Sequence, residues 1–179
     1  TTAFAQNDSR NDADQNASVS REHHFFVGPS LRSMRAKNTD MILLGGQLGI
    51  MRGRGAFTLE AHKALVENNG RPDVSALKDY STVGVVLGIE GLNESFTSVD
   101  FSFYAGLSNF TAQDATRSKT SKDIGYIIEP RLNLTLESFD LVRLGAGVGY
   151  NWMYGVDNPY ISRSDFGSWS FGISAIFIL

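Results

Sequence analysis

From residue 23 onward, long stretches of the chain alternate apolar and polar side chains at period two, the pattern of strands with two unlike faces. Eight such segments are predicted, at 25–34, 40–51, 54–65, 80–92, 97–109, 123–137, 139–154 and 167–179. Helices are disfavoured throughout, because Gly45, Gly46, Gly84, Gly88, Gly145, Gly147 and Gly149 fall inside the segments, and each would cost a helix about 1 kcal/mol. The segment at 54–65 comes nearest to a helical reading. Tight joints at Arg52 and Gly53, at 93–96 and at Ser138 alternate with long polar ones at 66–79, 110–122 and 155–166. An up-and-down meander with its long loops at one end follows, and only the short joint at 35–39 departs from the rule.

Parity then separates two kinds of eight-stranded barrel. A lipocalin-type barrel hides an apolar interior, whereas a membrane barrel turns its apolar face outward. In the sixth segment Ile128, Leu132, Leu134 and Leu136 oppose Glu129, Arg131, Asn133 and Thr135. The seventh sets Val142, Leu144, Ala146, Val148, Tyr150 and Trp152 against Arg143, Gly145, Gly147, Gly149 and Asn151. Trp169, Phe171, Ile173, Ala175, Phe177 and Leu179 form the same nearly uninterrupted apolar face in the eighth, and Val99, Phe101, Phe103, Ala105 and Leu107 in the fifth. A soluble core needs less. The opposite face mixes Gly and small polar residues with Arg32, Glu60, Glu90, Asp100, Glu129, Arg131 and Arg143, as a narrow lumen filled by side chains requires.

Aromatic residues sort by height. With a turn at Ser138, the outward Tyr80, Tyr126, Trp152, Tyr154 and Trp169 fall toward the long-loop ends, and Phe139 and Phe177 toward the short turns. Two belts of this kind are what amphipathic rings prefer at two membrane interfaces. The fold expected is an all-β, eight-stranded antiparallel up-and-down transmembrane barrel over residues 23–179.

Residues 1–22 are rich in Asn, Asp, Gln, Ser and Ala. Such a segment buries too little surface to offset its ordering entropy and reads as a flexible polar tail. Within it Ala3-Phe4-Ala5 has the small-x-small form of a signal-peptidase site, which would make residues 1–5 a signal-peptide remnant.

Segments such as Ile128-Glu129-Pro130-Arg131-Leu132-Asn133-Leu134, followed by Arg143-Leu144-Gly145-Ala146-Gly147-Val148-Gly149-Tyr150, resemble the penultimate hairpin of small eight-stranded outer-membrane barrels, the OmpA/OmpX-type group of diderm bacteria. The resemblance spans residues 25–179. It implies an outer-membrane location, contact with outer-membrane lipids and lipopolysaccharide, and a role as anchor, adhesin or auxiliary component of a larger assembly. In that group the closing strand commonly ends in an aromatic residue used in assembly; here Phe177 precedes Ile178 and Leu179.

Composition narrows the chemistry. The 179 residues are 42% hydrophobic and 20% charged, with no Cys and a net charge of 16 − 19 = −3. A disulfide framework and thiolate metal centres are excluded, and nothing suggests a nucleic-acid partner. No run reaches the roughly 18 apolar residues of a spanning helix, but strands cross with about 9 to 11.

The lumen charges are the candidate site. Glu90, Asp100 and Glu129 are expected to neutralise Arg131 and Arg143, with the two arginines close to opposite one another and Glu90 near Asp100. Unpaired charge in so confined a space is costly. Catalysis has little support: the histidines are His23, His24 and His62, and the parity of His62 aims it at the lumen, away from any lipid substrate. Neighbouring His23 and His24 would point to opposite faces, which makes a poor metal site. Gly53-Arg54-Gly55 lacks the remainder of a phosphate loop and marks a turn. No cofactor is implied. The function expected is a non-enzymatic structural or accessory subunit that meets other outer-membrane proteins through tail, wall or loops. The alternatives are a soluble lipocalin-like binder, an adhesin using loops such as those with Arg71-Pro72 and Asn158-Pro159, a narrow pore, or a lipid A-modifying enzyme.

Overall fold

The computed structural model describes residues 23–36, 39–67, 76–94, 96–114, 116, 119–139 and 141–179. The expected tail at 1–22, with its possible cleavage site, lies outside the described residues, as do Arg71 and Pro72.

Alternation at period two is realised as eight antiparallel strands: β1 (His23–Ala36), β2 (Thr39–Arg52), β3 (Gly55–Glu67), β4 (Ala76–Glu94), β5 (Thr97–Gln113), β6 (Thr120–Phe139), β7 (Val142–Tyr154) and β8 (Ser168–Ile178). Each pairs with its sequence neighbours, and β8 returns to β1 with Phe26 opposite Ile178 and Met34 opposite Ser170. The sheet is therefore a closed barrel without free edges. The segment nearest to a helical reading, β3, is a strand paired from end to end with β2.

Short hairpins occupy one end. At Arg52-Gly53-Arg54-Gly55 the φ of Gly53 is 57°, the left-handed region that favours glycine. The opposite end carries the long connections, but the strands reach further into them than alternation alone predicts. Strand β5 continues to Gln113 and β6 begins at Thr120, because Phe110 and Ala112 point inward and are fully buried. The last connection leaves β7 at Gly155, where φ is 71°. It then forms a short 3-10 turn, η1 (Arg163–Phe166).

One joint is displaced. The β6–β7 hairpin turns beyond Phe139, and a bulge at Ser138 lets β6 run on to that residue. Further bulges fall at Lys78 and Gly91 of β4.

Candidate functional site

Parity decides what each strand shows to the lumen, and the lumen has three levels. Nearest the long loops it is apolar. Met34, Met41, Leu43, Leu77, Tyr80, Phe110, Ile127 and Met153 converge there, each with less than a tenth of its surface exposed. Phe166 of η1 seals this cluster from above, its ring 5.0 Å from that of Phe110 and 6.1 Å from that of Tyr80. Its loop is fixed by the Asp165 carboxylate, which accepts from the Ser162 amide at 2.8 Å, and by Asp123, which accepts from the Asp157 amide at 2.7 Å.

The middle level is ionic. Arg131 donates to Glu60 at 2.7 Å and to Glu129 at 3.1 Å. Arg32 pairs with Glu129, approaches Glu60 at 4.0 Å, and donates to the Ser170 hydroxyl at 2.9 Å. Ser170 in turn donates to Glu129. The Arg131 guanidinium also lies 4.6 Å from the centroid of the Tyr104 ring. Two cations and two anions thus compensate one another where each has little contact with water. Removing one member of such a set costs about 3–5 kcal/mol, since its partner is left charged and buried. Beside this quartet Ser30 and His62 share a hydrogen bond of 2.8 Å.

Below it, toward the short turns, the lumen widens into a cavity of about 170 Å³ that reaches Gly53, Arg54 and Gly55. Gly88, Gly145, Gly147 and Gly172 form much of its wall, and Gln47, Asp100, Asn133 and Thr135 line it.

This geometry redistributes the expected network. Glu90 and Asp100 are ladder partners on β4 and β5. Arg131 and Arg143, however, are not opposite: Arg131 faces Gly149, and Arg143 faces Glu137, with which it pairs at 2.7 Å. The bulge at Ser138 and the later turn shift the register away from the expected one. Asp100 accepts from the Thr135 hydroxyl at 2.7 Å, and the partners of Arg131 are Glu60 and Glu129. Arg32 and Glu60 stood on the polar face by parity but outside the expected network. What brings them in is the tilt of strands around the closed barrel, which a strand-by-strand pattern does not contain.

The outer wall is apolar on every strand. Leu31, Leu48, Leu59, Leu87, Phe103, Leu132, Leu144 and Ile173 are all exposed on it. A lipocalin-type barrel would have these side chains inside. Tyr126, Trp152, Tyr154 and Trp169 are exposed toward the long loops, and Phe177 toward the short turns. Tyr150 belongs with them: its ring lies 5.0 Å from Trp152 and 5.3 Å from Trp169. Tyr80 does not, because it shares parity with Thr82, Gly84 and Glu90 and is wholly buried in the lumen. The backbone of Phe139 closes β6, but its side chain lies outside the described residues.

Known structures share this architecture. The N-terminal barrel domain of Pseudomonas aeruginosa OprF matches with a TM-score of 0.61 and 12% identity, over 88% of this chain and 100% of that one. Neisserial surface protein A matches with a TM-score of 0.62 and 12% identity, over 88% and 96%. Ail, the attachment invasion locus protein of Yersinia pestis, gives 0.55 and 9%, over 88% and 97%. The chain has the small outer-membrane barrel fold. Wall, girdle and topology together are those of a bacterial outer-membrane protein. No protein-family model and no curated protein matches the sequence.

Proposed function

We propose that this barrel is a non-enzymatic structural or accessory subunit of a larger outer-membrane assembly, with its lumen closed by its own side chains. The observation that carries the closed lumen is the stacking of two different seals. The Arg32–Glu60–Glu129–Arg131 quartet spans the middle, and the apolar cluster under Phe166 fills the long-loop end. A closed barrel leaves the wall, the loops and the segment ahead of β1 as the surfaces through which the chain can act. Among the described residues no three His, Cys, Asp or Glu side chains gather as a metal site would require.

Two measurements test this reading. Purified chain in a planar bilayer is expected to give no stable current, and a large sustained conductance would refute the closed lumen. Native purification from membranes in mild detergent is expected to bring down defined outer-membrane proteins in fixed ratio. A chain that elutes alone at its monomer size, from cells where it is abundant, would refute the subunit role.

A second reading, loop-mediated adhesion, rests on the built β7–β8 loop. Besides its internal hydrogen bonds, this loop sets the Arg163 guanidinium 4.0 Å from the centroid of the exposed Tyr154 ring. One of the similar structures is Ail in complex with the heparin analogue sucrose octasulfate. Under this reading cells carrying the chain bind a sulfated polysaccharide surface and lose that binding when residues 156–165 are replaced by a short Gly-Ser linker; under the first reading the intact chain confers no such binding.

A further inference from the structure

The rim at the short turns divides by charge. By sequence the β4–β5 and β6–β7 hairpins carry Glu94, Glu137 and Asp140 near their turns, whereas the β2–β3 hairpin turns through Arg52-Gly53-Arg54-Gly55 and β1 begins beside it with His23. We propose that this basic corner binds an anionic phospholipid of the leaflet facing the periplasm, its phosphate on Arg52 and His23 and its acyl chains on the wall above them.

Three observations point there. The first is direction. Arg52 and His23 are ladder partners, both exposed, and they share the outward parity of Ile50 and Leu48 on β2 and of Phe25 and Val27 on β1. Neighbouring strands lie about 4.8 Å apart, so one phosphate can reach both side chains. The next row toward the membrane centre is Phe25, Ile50 and Phe57, and the row after it Val27, Leu48 and Leu59. Cations at the foot of an apolar panel complement a negative headgroup carried on hydrocarbon chains.

The second is availability. Arg35 and Arg143 pair with Asp40 and Glu137, and Arg32 and Arg131 belong to the quartet. Arg52 and Arg54 enter no ion pair among the described residues. A guanidinium without a carboxylate offers its fork of N–H donors to a phosphate. Arg54, exposed at the mouth of the lumen, adds to the same potential.

The third is room on a fixed frame. The neighbour of Arg52 on β3 is Gly55, which sets no side chain beside the guanidinium. Beyond its chain neighbours, a Cβ added at Gly55 would meet only the Arg52 carbonyl oxygen, at 3.6 Å. The hairpin is tied to β4, whose Glu90 amide donates to the Arg54 carbonyl at 2.8 Å.

An acidic protein in the periplasm would meet the tips of the turns, which in outer-membrane barrels face that compartment. Arg52 and His23 project from the wall face instead, which favours a lipid. The proposal needs the outward apolar wall and is independent of the closed lumen and of the subunit role.

The test is quenching of tryptophan by brominated lipid, in full chain reconstituted into phosphatidylcholine vesicles. Phe57→Trp, combined with Trp152→Phe and Trp169→Phe, leaves a single tryptophan inside the panel. One lipid in five carries bromine on the upper part of its acyl chains, as phosphatidylglycerol or as phosphatidylcholine. Both should quench, because position 57 is exposed on the wall, and phosphatidylglycerol should quench at least twofold more strongly. Arg52→Gln should abolish that preference, Arg52→Lys should keep it, and Arg54→Gln should reduce it by less than Arg52→Gln. A chain whose single tryptophan is the native Trp169, at the long-loop end, should show no preference. Equal quenching by the two lipids at position 57, the same preference at Trp169, or a preference that survives Arg52→Gln would each overturn the proposal. So would equal losses in Arg52→Gln and Arg52→Lys. Loss of the preference on adding inorganic phosphate would make this a site for free anions and would also overturn it. Quenching by neither lipid would contradict the outward wall, and the proposal with it.

Discussion

The two ends of this lumen are built on opposite principles from the same eight strands. Toward the long loops the inward positions carry Met, Leu, Phe, Tyr and Ile, and the space is packed until Phe166 has no exposed surface. Toward the short turns the inward positions on β4, β7 and β8 include Gly88, Gly145, Gly147 and Gly172, and a cavity remains. The ionic quartet lies between the two. A soluble protein keeps one apolar core inside. Here an apolar cluster, an ion layer and a glycine-walled cavity succeed one another along the axis, enclosed by a wall that is apolar on every strand. Stability should accordingly be concentrated in the plug and the ion layer, while the cavity half should tolerate change.

The sharpest way to break that contrast is to remove a charge from the middle. Glu129→Ala leaves Arg32 and Arg131 with one carboxylate between them and should lower unfolding free energy by about 3–5 kcal/mol, measured by urea titration in vesicles. Phe166→Ala removes the seal of the outer half and should cost about 3 kcal/mol, with the loss confined in hydrogen exchange to the β7–β8 loop and the long-loop ends of β4 and β5. Adding volume should separate the halves further. Ala112→Leu overpacks a fully buried position and is expected to cost about 1–3 kcal/mol. Gly88→Ala adds a methyl at ordinary contact distance inside the cavity half and should change stability by less than about 1 kcal/mol. Equal costs for these last two substitutions would mean that the cavity half is as tightly packed as the plug.

The same contrast explains what the sequence revealed. Strands β6, β7 and β8 were legible because their inward faces are small or polar for most of their length, so period two is strong. The long-loop ends were not. On β2 the inward Met41 and Leu43 alternate with outward Ile42 and Leu44, and an apolar lumen against an apolar wall leaves no alternation to detect. Tyr80 reads as an outer-girdle residue for this reason: a large ring near a membrane boundary fits both the inner apolar cluster and the belt, and only its parity with Thr82 and Glu90 separates them. The ion layer was half legible. Parity gave Arg32, Glu60, Glu129 and Arg131 a common face, whereas their meeting depends on strand tilt and on the β6–β7 register, which the bulge at Ser138 resets. The alternation of tight and long joints gave the topology correctly, because turn chemistry is local.

The central claim is the direction of the wall, and collision with paramagnetic relaxants tests it most directly. Nitroxides placed singly at Leu144 and Phe171, in chain reconstituted into lipid vesicles, should be relaxed strongly by oxygen and weakly by a water-soluble nickel chelate. Strong relaxation by the chelate at both positions would show them facing water and would contradict a barrel that turns its apolar face to lipid.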